Sequence, residues 1–284
     1  MGSVKVVTDS ASDLPHDLAN QWGVSVVPLY TQVGNETVVD GPELDREEFG
    51  RRVAVSPVRL ATSQPSPGLF LEVYRRLAED GSTVVSVHVS GRLSGTFQAA
   101  NVARGMLPQA DIEVVDSGTG SMALGLAVLE GARAAARGEG KEAVVTRIRR
   151  ALQQTWAFFA VGSLTHLHKI GRLGRLQALL GSLLEVHPVL YLENDEIGLY
   201  DRIRGERAMV PRLVEIARSF IPPGLPLRCA VVHIRARHLA DQLCQEMKRV
   251  YQCVEMIMTH ASAVISAALG PNSLGLFFSP PLEG

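Results

Sequence analysis

Several things are scarce in this chain of 284 residues, and each scarcity closes off a class of function. Cysteine occurs only at Cys229, Cys244 and Cys253, with no CxxC pair. A disulfide framework or a thiolate metal site needs paired, closely spaced cysteines, so the three thiols read as reduced. Lysine is confined to Lys5, Lys141, Lys169 and Lys248, and the formal net charge is -1. There is no basic tail and no stripe of basic residues interleaved with aromatics, so the electrostatic footprint of nucleic-acid binding is missing. No apolar run is long enough to span a bilayer. Met1 leads into Val4-Lys5-Val6-Val7 and then Thr8-Asp9-Ser10 without the apolar stretch of a signal peptide. Val6 stands where a myristoylation signal needs Ser or Thr. The expectation is a cytoplasmic protein with no integral membrane segment.

Catalytic fingerprints are also missing. There is no GxxxxGK[ST], no GxGxxG after a strand and no GxSxG, which removes the signatures of P-loop, dinucleotide-binding and α/β-hydrolase proteins. His166-x-His168 stands beside Lys169 without a carboxylate trio and reads as surface or interface, not as a metal site; His233 and His238 read the same way.

What is present is an alternation of short β-branched runs with longer helical patterns, the mark of βαβ construction. Strands are expected at 4–8, 24–30, 83–89 and 112–115, and a helix over 67–80 is announced by Ser66 as N-cap and Pro67 in the first turn. A polar, basic stretch over 141–154 closes the first half. The second half offers strands at 156–161, 188–192, 197–203, 228–233, 254–258 and 274–278. Asn194-Asp195 reads as a hairpin turn, which makes that sheet mixed. The fold class expected is α/β with two domains, 1–153 and 154–284: a mostly parallel N-terminal sheet with flanking helices and a mixed C-terminal one.

Three strands of the first half end in polar loops that lead into helices: Thr8 to Asp13, Ser90 to Thr96 and Asp116 to Ser121. In an open parallel sheet such loops share one edge, so their hydroxyls and helix N-termini should converge on one crevice. A fourth segment, Ala61 to Ser66, also precedes a helix. The set suits a small anion such as a carboxylate or phosphate, although each loop alone also reads as ordinary helix capping. Gly91 and Gly95 around Ser94 allow close approach of the backbone to a ligand, which capping does not require.

Taken in order, Thr8-Asp9-Ser10-Ala11-Ser12-Asp13-Leu14-Pro15, Thr62-Ser63-Gln64-Pro65-Ser66, Ser90-Gly91-Arg92-Leu93-Ser94-Gly95-Thr96 and Asp116-Ser117 resemble the DegV family. So do Gly171-Arg172-Leu173, His187-Pro188-Val189, Arg202-Ile203-Arg204-Gly205 and Gly270-Pro271 in the second half. The resemblance implies a fatty acid held between two domains. Its carboxyl group would be bound by Thr62 and Ser94 with the Gly95 amide as a third donor, and Ser63, Asp9, Ser10, Thr96 and Ser117 would stand in support. It also implies presentation of the acid to a separate ATP-dependent fatty acid kinase subunit, with Arg172, Arg202 and Arg204 facing that partner, no cofactor, and a monomer when free. The same arginines also read as exposed salt-bridging residues. Ala268 departs from the pattern by standing where the family commonly has a histidine that contacts the carboxyl group.

The leucine-rich segment 176–186, with Leu179, Leu180, Leu183 and Leu184, could wall an acyl slot or form an ordinary core helix. The competing reading is an enzyme, a phosphotransferase or hydrolase acting on a phosphorylated or ester substrate in the same crevice, with Asp9 and Asp116 as its acidic groups.

Overall fold

The computed structural model describes residues 3–55, 59–179, 186–193 and 195–282. The chain opens with β1 (Val4–Asp9), α1 (His16–Gln21), β2 (Ser25–Val27), β3 (Tyr30–Val33), β4 (Glu36–Val39), α2 (Arg46–Val55) and β5 (Leu60–Ser63). It continues through α3 (Pro67–Ala78), β6 (Thr83–His88), α4 (Thr96–Gly105), β7 (Ile112–Asp116), α5 (Ser121–Ala136) and α6 (Lys141–Gln154). The second half holds β8 (Trp156–Ala160), α7 (Thr165–Lys169), β9 (Val186–Glu193), β10 (Glu196–Arg204), α8 (Met209–Phe220), β11 (Pro226–Ile234), α9 (Arg237–Val250), β12 (Gln252–His260), α10 (Ala263–Leu269) and β13 (Ser273–Ser279).

The valine-rich β1 and β6 form the centre of a parallel sheet ordered β2-β1-β6-β7. Such strands must be buried on both faces, and they are. Val7, Val84 and Val114 pack with Phe70 and Tyr74 of α3 and with α4; Val6, Val85 and Val115 pack against α5. Ser66 caps α3 by accepting from the Leu69 amide, as its sequence announces. The second sheet runs β10-β9-β8-β13-β11-β12, antiparallel except for β11 with β12. Its outer face, with Phe158, Val189 and Phe278, is covered by α8 and α9. Its inner face, with Phe159, Phe277 and Leu190, joins the same apolar cluster as α5 of the first domain. The fold is thus two α/β domains, parallel and mixed, with α5 sandwiched between the sheets. That position explains a helix whose residues are buried almost all round.

Two expectations need correction. The strand expected over 24–30 is broken in two, because Pro28 has no amide to continue the ladder from β2. The chain re-enters as β3, which pairs with β4 and β5 in a separate three-stranded antiparallel sheet. Gly34-Asn35, a two-residue hairpin with Gly34 at φ 63, was the legible signal for it. The segment from Ala61 is consequently not all loop, since Thr62 and Ser63 sit on β5. Among the leucines expected to wall a slot, Leu180, Leu183 and Leu184 lie outside the described residues, while Leu176 is buried in the core. The hairpin at 194–195 is present as β9–β10, with Glu193 opposite Glu196; Asn194 itself lies outside the described residues. Among the described residues, no helix is long and apolar enough to cross a membrane.

Candidate functional site

Beyond the N-terminal end of α5 the two sheets are no longer filled by that helix, and an open cavity occupies the space. Its walls are drawn from both domains. The first contributes Ala11, Leu29, Val89, Leu93 and Gly120; the second contributes Phe159, Leu190 and Leu192 from the sheet, Leu167 from α7, and Val264, Ile265, Ala268 and Leu269 from α10. Polar lining comes from Thr62, Ser63, Gln64, Ser94, Ser121 and Arg172.

Three of these polar groups, Ser94, Arg172 and Gln64, meet at the turn Leu93 to Gly95, ahead of α4. The Leu93 carbonyl accepts from Arg172 Nε at 2.6 Å. The Ser94 Oγ lies 2.8 Å from Thr96 Oγ1 and accepts from the Thr96 amide at 3.3 Å. With the Thr96 hydroxyl donating, the Ser94 O–H is left to donate elsewhere. Among the described residues no protein acceptor takes the Gly95 N–H, which stands at the positive end of α4. A Cβ at Gly95 would lie 2.9 Å from the Gln64 side-chain nitrogen, so the Gln64 amide, just after β5, packs directly on this turn. Thr62 is opposite Thr31 in the β3–β5 ladder, and that pairing sets it at the cavity wall.

α10 is held over the cavity by Asp13. This carboxylate, fully buried and in the left-handed region at φ 54, accepts from the Ser262 amide at 2.6 Å and from the Ser121 hydroxyl. Ser262 in turn caps α10. Burial pushes the Asp13 carboxyl up to about 6, against the opposing pull of the Arg46 guanidinium. Asp40 lies near the same helix start and is likewise raised by burial. Neither Asp13 nor Ser121 is singled out by the sequence reading, because each looks like a turn residue until the fold brings positions 108 residues apart together.

The supporting residues divide. Ser63 lines the cavity and Thr96 contacts Ser94. Ser10 is turned away, its hydroxyl accepting from the Leu29 amide, and Ser117 closes its own loop by donating to the Thr119 carbonyl. Asp9 is buried: it accepts from the Ala11 and Val89 amides and from His88 Nδ1, each at 3.0 Å. His88 Nε2 lies 2.6 Å from Ser86 Oγ, which accepts from Tyr74. This Ser–His–Asp order has the connectivity of a hydrolytic triad, yet Ser86 is 0% exposed and is not among the residues lining this cavity, so it serves as internal bracing. Asp116 accepts from the Gly91 and Gly118 amides and lies outside the cavity. The two acidic groups of the enzyme reading are thus spent on the scaffold.

Arg172 reaches the cavity, whereas Arg202 and Arg204 are exposed on the edge strand β10, away from its lining. Ala268 lines the cavity. His166 packs against Gly270 and His260 against His233, and neither is among the lining residues. Burial lowers the pKa of both His166 and His260. Among the described residues no three His, Cys, Asp or Glu side chains converge as a metal site would require.

Comparison with known proteins agrees with this architecture. The DegV family model matches residues 3–281. A DegV domain-containing protein of Streptomyces coelicolor is 37% identical over 279 residues, covering 97% of this chain and 98% of its own. The fatty-acid-binding DegV family protein of Thermus thermophilus superposes with a TM-score of 0.90 at 32% identity, covering 98% of this chain and all of its own. DegV of Bacillus subtilis, also a fatty acid binding protein, superposes at 0.88 with 29% identity, over 99% of this chain and all of its own.

Proposed function

The chain belongs to the DegV family, and on that premise we propose that it binds one long-chain fatty acid between its domains and presents the carboxyl group to a separate ATP-dependent kinase subunit for acyl-phosphate formation. One observation carries the reading: a mainly apolar cavity has Ser94, Arg172 and Gln64 of its polar lining gathered at the turn Leu93 to Gly95. An acyl chain gains about 0.8 kcal/mol for each methylene removed from water, and a carboxyl group needs only a few donors at one place. Thr62 and Ser94 hydroxyls and the Gly95 amide supply those donors, and Arg172 adds a positive charge beside them. With Ala268 in the place of the family's histidine, the arginine is the charged group in the lining.

The protein acts as a binding subunit and not as an enzyme, needs no cofactor, and is a monomer when free. The division of the domains lies between 153 and 154, at the last residue of α6 and just ahead of β8. Arg202 and Arg204, exposed on an edge strand, form with Arg172 the surface toward the kinase. Mass spectrometry of gently extracted protein tests the central point: about one fatty acid per chain is expected, and a lipid-free protein that cannot be loaded would overturn it. Ser94→Ala is expected to weaken acyl binding about tenfold, the worth of one hydrogen bond to a charged group, with little change in urea midpoint.

A further inference from the structure

β8 and β9 are paired at only three positions, Phe158 with Tyr191, Phe159 with Leu190 and Ala160 with Val189. β8 begins two residues earlier, at Trp156, and β9 runs two residues further, to Glu193, still paired there with β10. The β9–β10 hairpin therefore peels away from the body of the sheet and leaves a fork between Ala157 and Leu192. A second cleft fills that fork. Trp156, Phe158, Tyr200 and Phe220 line it, with ring centroids 5.0 Å apart for Phe158 and Tyr200 and 5.2 Å for Trp156 and Phe220.

Two features say what the cleft takes. Its acidic groups are already engaged, Asp116 by the Gly91 and Gly118 amides and Asp195 by the Ser90 hydroxyl, so they do not call for a cationic ligand. Its aromatic wall is open, with Tyr200 40% and Phe220 37% exposed, and offers an apolar surface facing a polar one that includes Ser117, Thr119, Gln153 and Thr155. The cleft is continuous in its walls with the acyl cavity, because Tyr191 and Leu192 line both. Alternation along β9 turns Leu192, like Leu190, to the cavity face and Tyr191 to the other. The Tyr191 ring lies across its ladder partner Gly198, where a Cβ would stand 2.2 Å from it. At the fork β9 makes no ladder bonds to β8, and Leu192, unpaired across it, belongs to the wall of both spaces.

We propose that Leu192 limits the length of acyl chain the protein accepts, by closing the fork between β8 and β9, and that the aromatic cleft beyond receives the end of a longer chain once this side chain is reduced. The inference rests on the fatty-acid reading above. A chain stopped at Leu192 gains nothing from further methylenes; one that passes it gains about fourfold in affinity for each methylene buried.

The test loads the full chain from an equimolar mixture of saturated acids from myristic to behenic and reads the bound species by mass spectrometry. Relative to wild type, Leu192→Ala is expected to enrich arachidic over palmitic acid by at least about tenfold, and Leu192→Trp to shift the profile the other way. Adding Phe220→Ser to Leu192→Ala is expected to cancel the enrichment, which ties the gain to the cleft. An unchanged profile in Leu192→Ala, with fatty acid bound as in wild type, overturns this proposal and leaves fatty-acid binding standing. No fatty acid in wild type or variants overturns both.

Discussion

Asp13 is a buried carboxyl group that joins the two domains, and its ionisation is tied to their stability. Its pKa in the folded protein is raised from 3.8 to about 6, so between these values the folded chain holds more proton than the unfolded one. Stability from this group is therefore complete below about pH 4, falls as pH rises toward 6 and is level above, by up to about 3 kcal/mol. His233, pushed down to about 4 mainly by burial, slopes the opposite way over an overlapping range, so the measurement is a difference. Asn tolerates the left-handed backbone at position 13, and Asp13→Asn is expected to abolish the fall. Urea midpoints of variant and wild type from pH 4 to 7 should diverge as pH rises, the variant ending higher; parallel curves would mean that Asp13 titrates normally.

At the scale of elements, α5 shows how little room the domain junction leaves. A Cβ at Gly125 would lie 2.7 Å from the Ser12 carbonyl oxygen and 2.8 Å from Met122 Sδ. Alanine is intrinsically the better helix former by about 1 kcal/mol, which alone predicts stabilisation. The contact is with backbone in the loop that also carries Asp13, so the steric cost dominates. Gly125→Ala is expected to destabilise by about 2 kcal/mol, visible as a lower urea midpoint with an unchanged slope. Much of the elements' order was legible. β1, β6, β7 and the six strands of the second sheet follow from runs of β-branched, aromatic and other apolar residues, and α3 from its cap. What escaped was the small sheet β3-β4-β5, whose short polar strands lack apolar alternation, and hence the placement of Thr62 on a strand.

Across the whole molecule, an ionic clamp ties the domains on a surface distinct from the cavity lining. Arg133 of α5 pairs with Glu255 of β12, while Arg228 of β11 bonds Glu130 of α5 at 2.9 Å and Glu255 at 2.8 Å. Arg228 is 4% exposed. Breaking such a network strands a desolvated charge, which costs more than the intact pair contributes. Glu255→Gln is expected to lower stability by about 3 kcal/mol, whereas replacing Arg228 and Glu255 together by Met and Leu should cost much less. Equal losses in the single and double variants, measured by urea denaturation, would mean that the clamp acts only by packing.

Local order and polar loop chemistry could be read along the chain because they depend on neighbours in sequence: branched side chains favour strands, Ser66 caps its helix, and glycine frees the turn around Ser94. Which hydroxyls face the cavity could not, because Ser10, Ser94 and Ser117 look alike locally and differ only in the partners that folding brings to them. Asp9 and Asp116 look like acids awaiting a substrate until distant amides and His88 are seen to engage them. The walls of the cavity come from two sheets and from helices far apart in the chain, and no periodicity in one segment encodes a space that exists only between several.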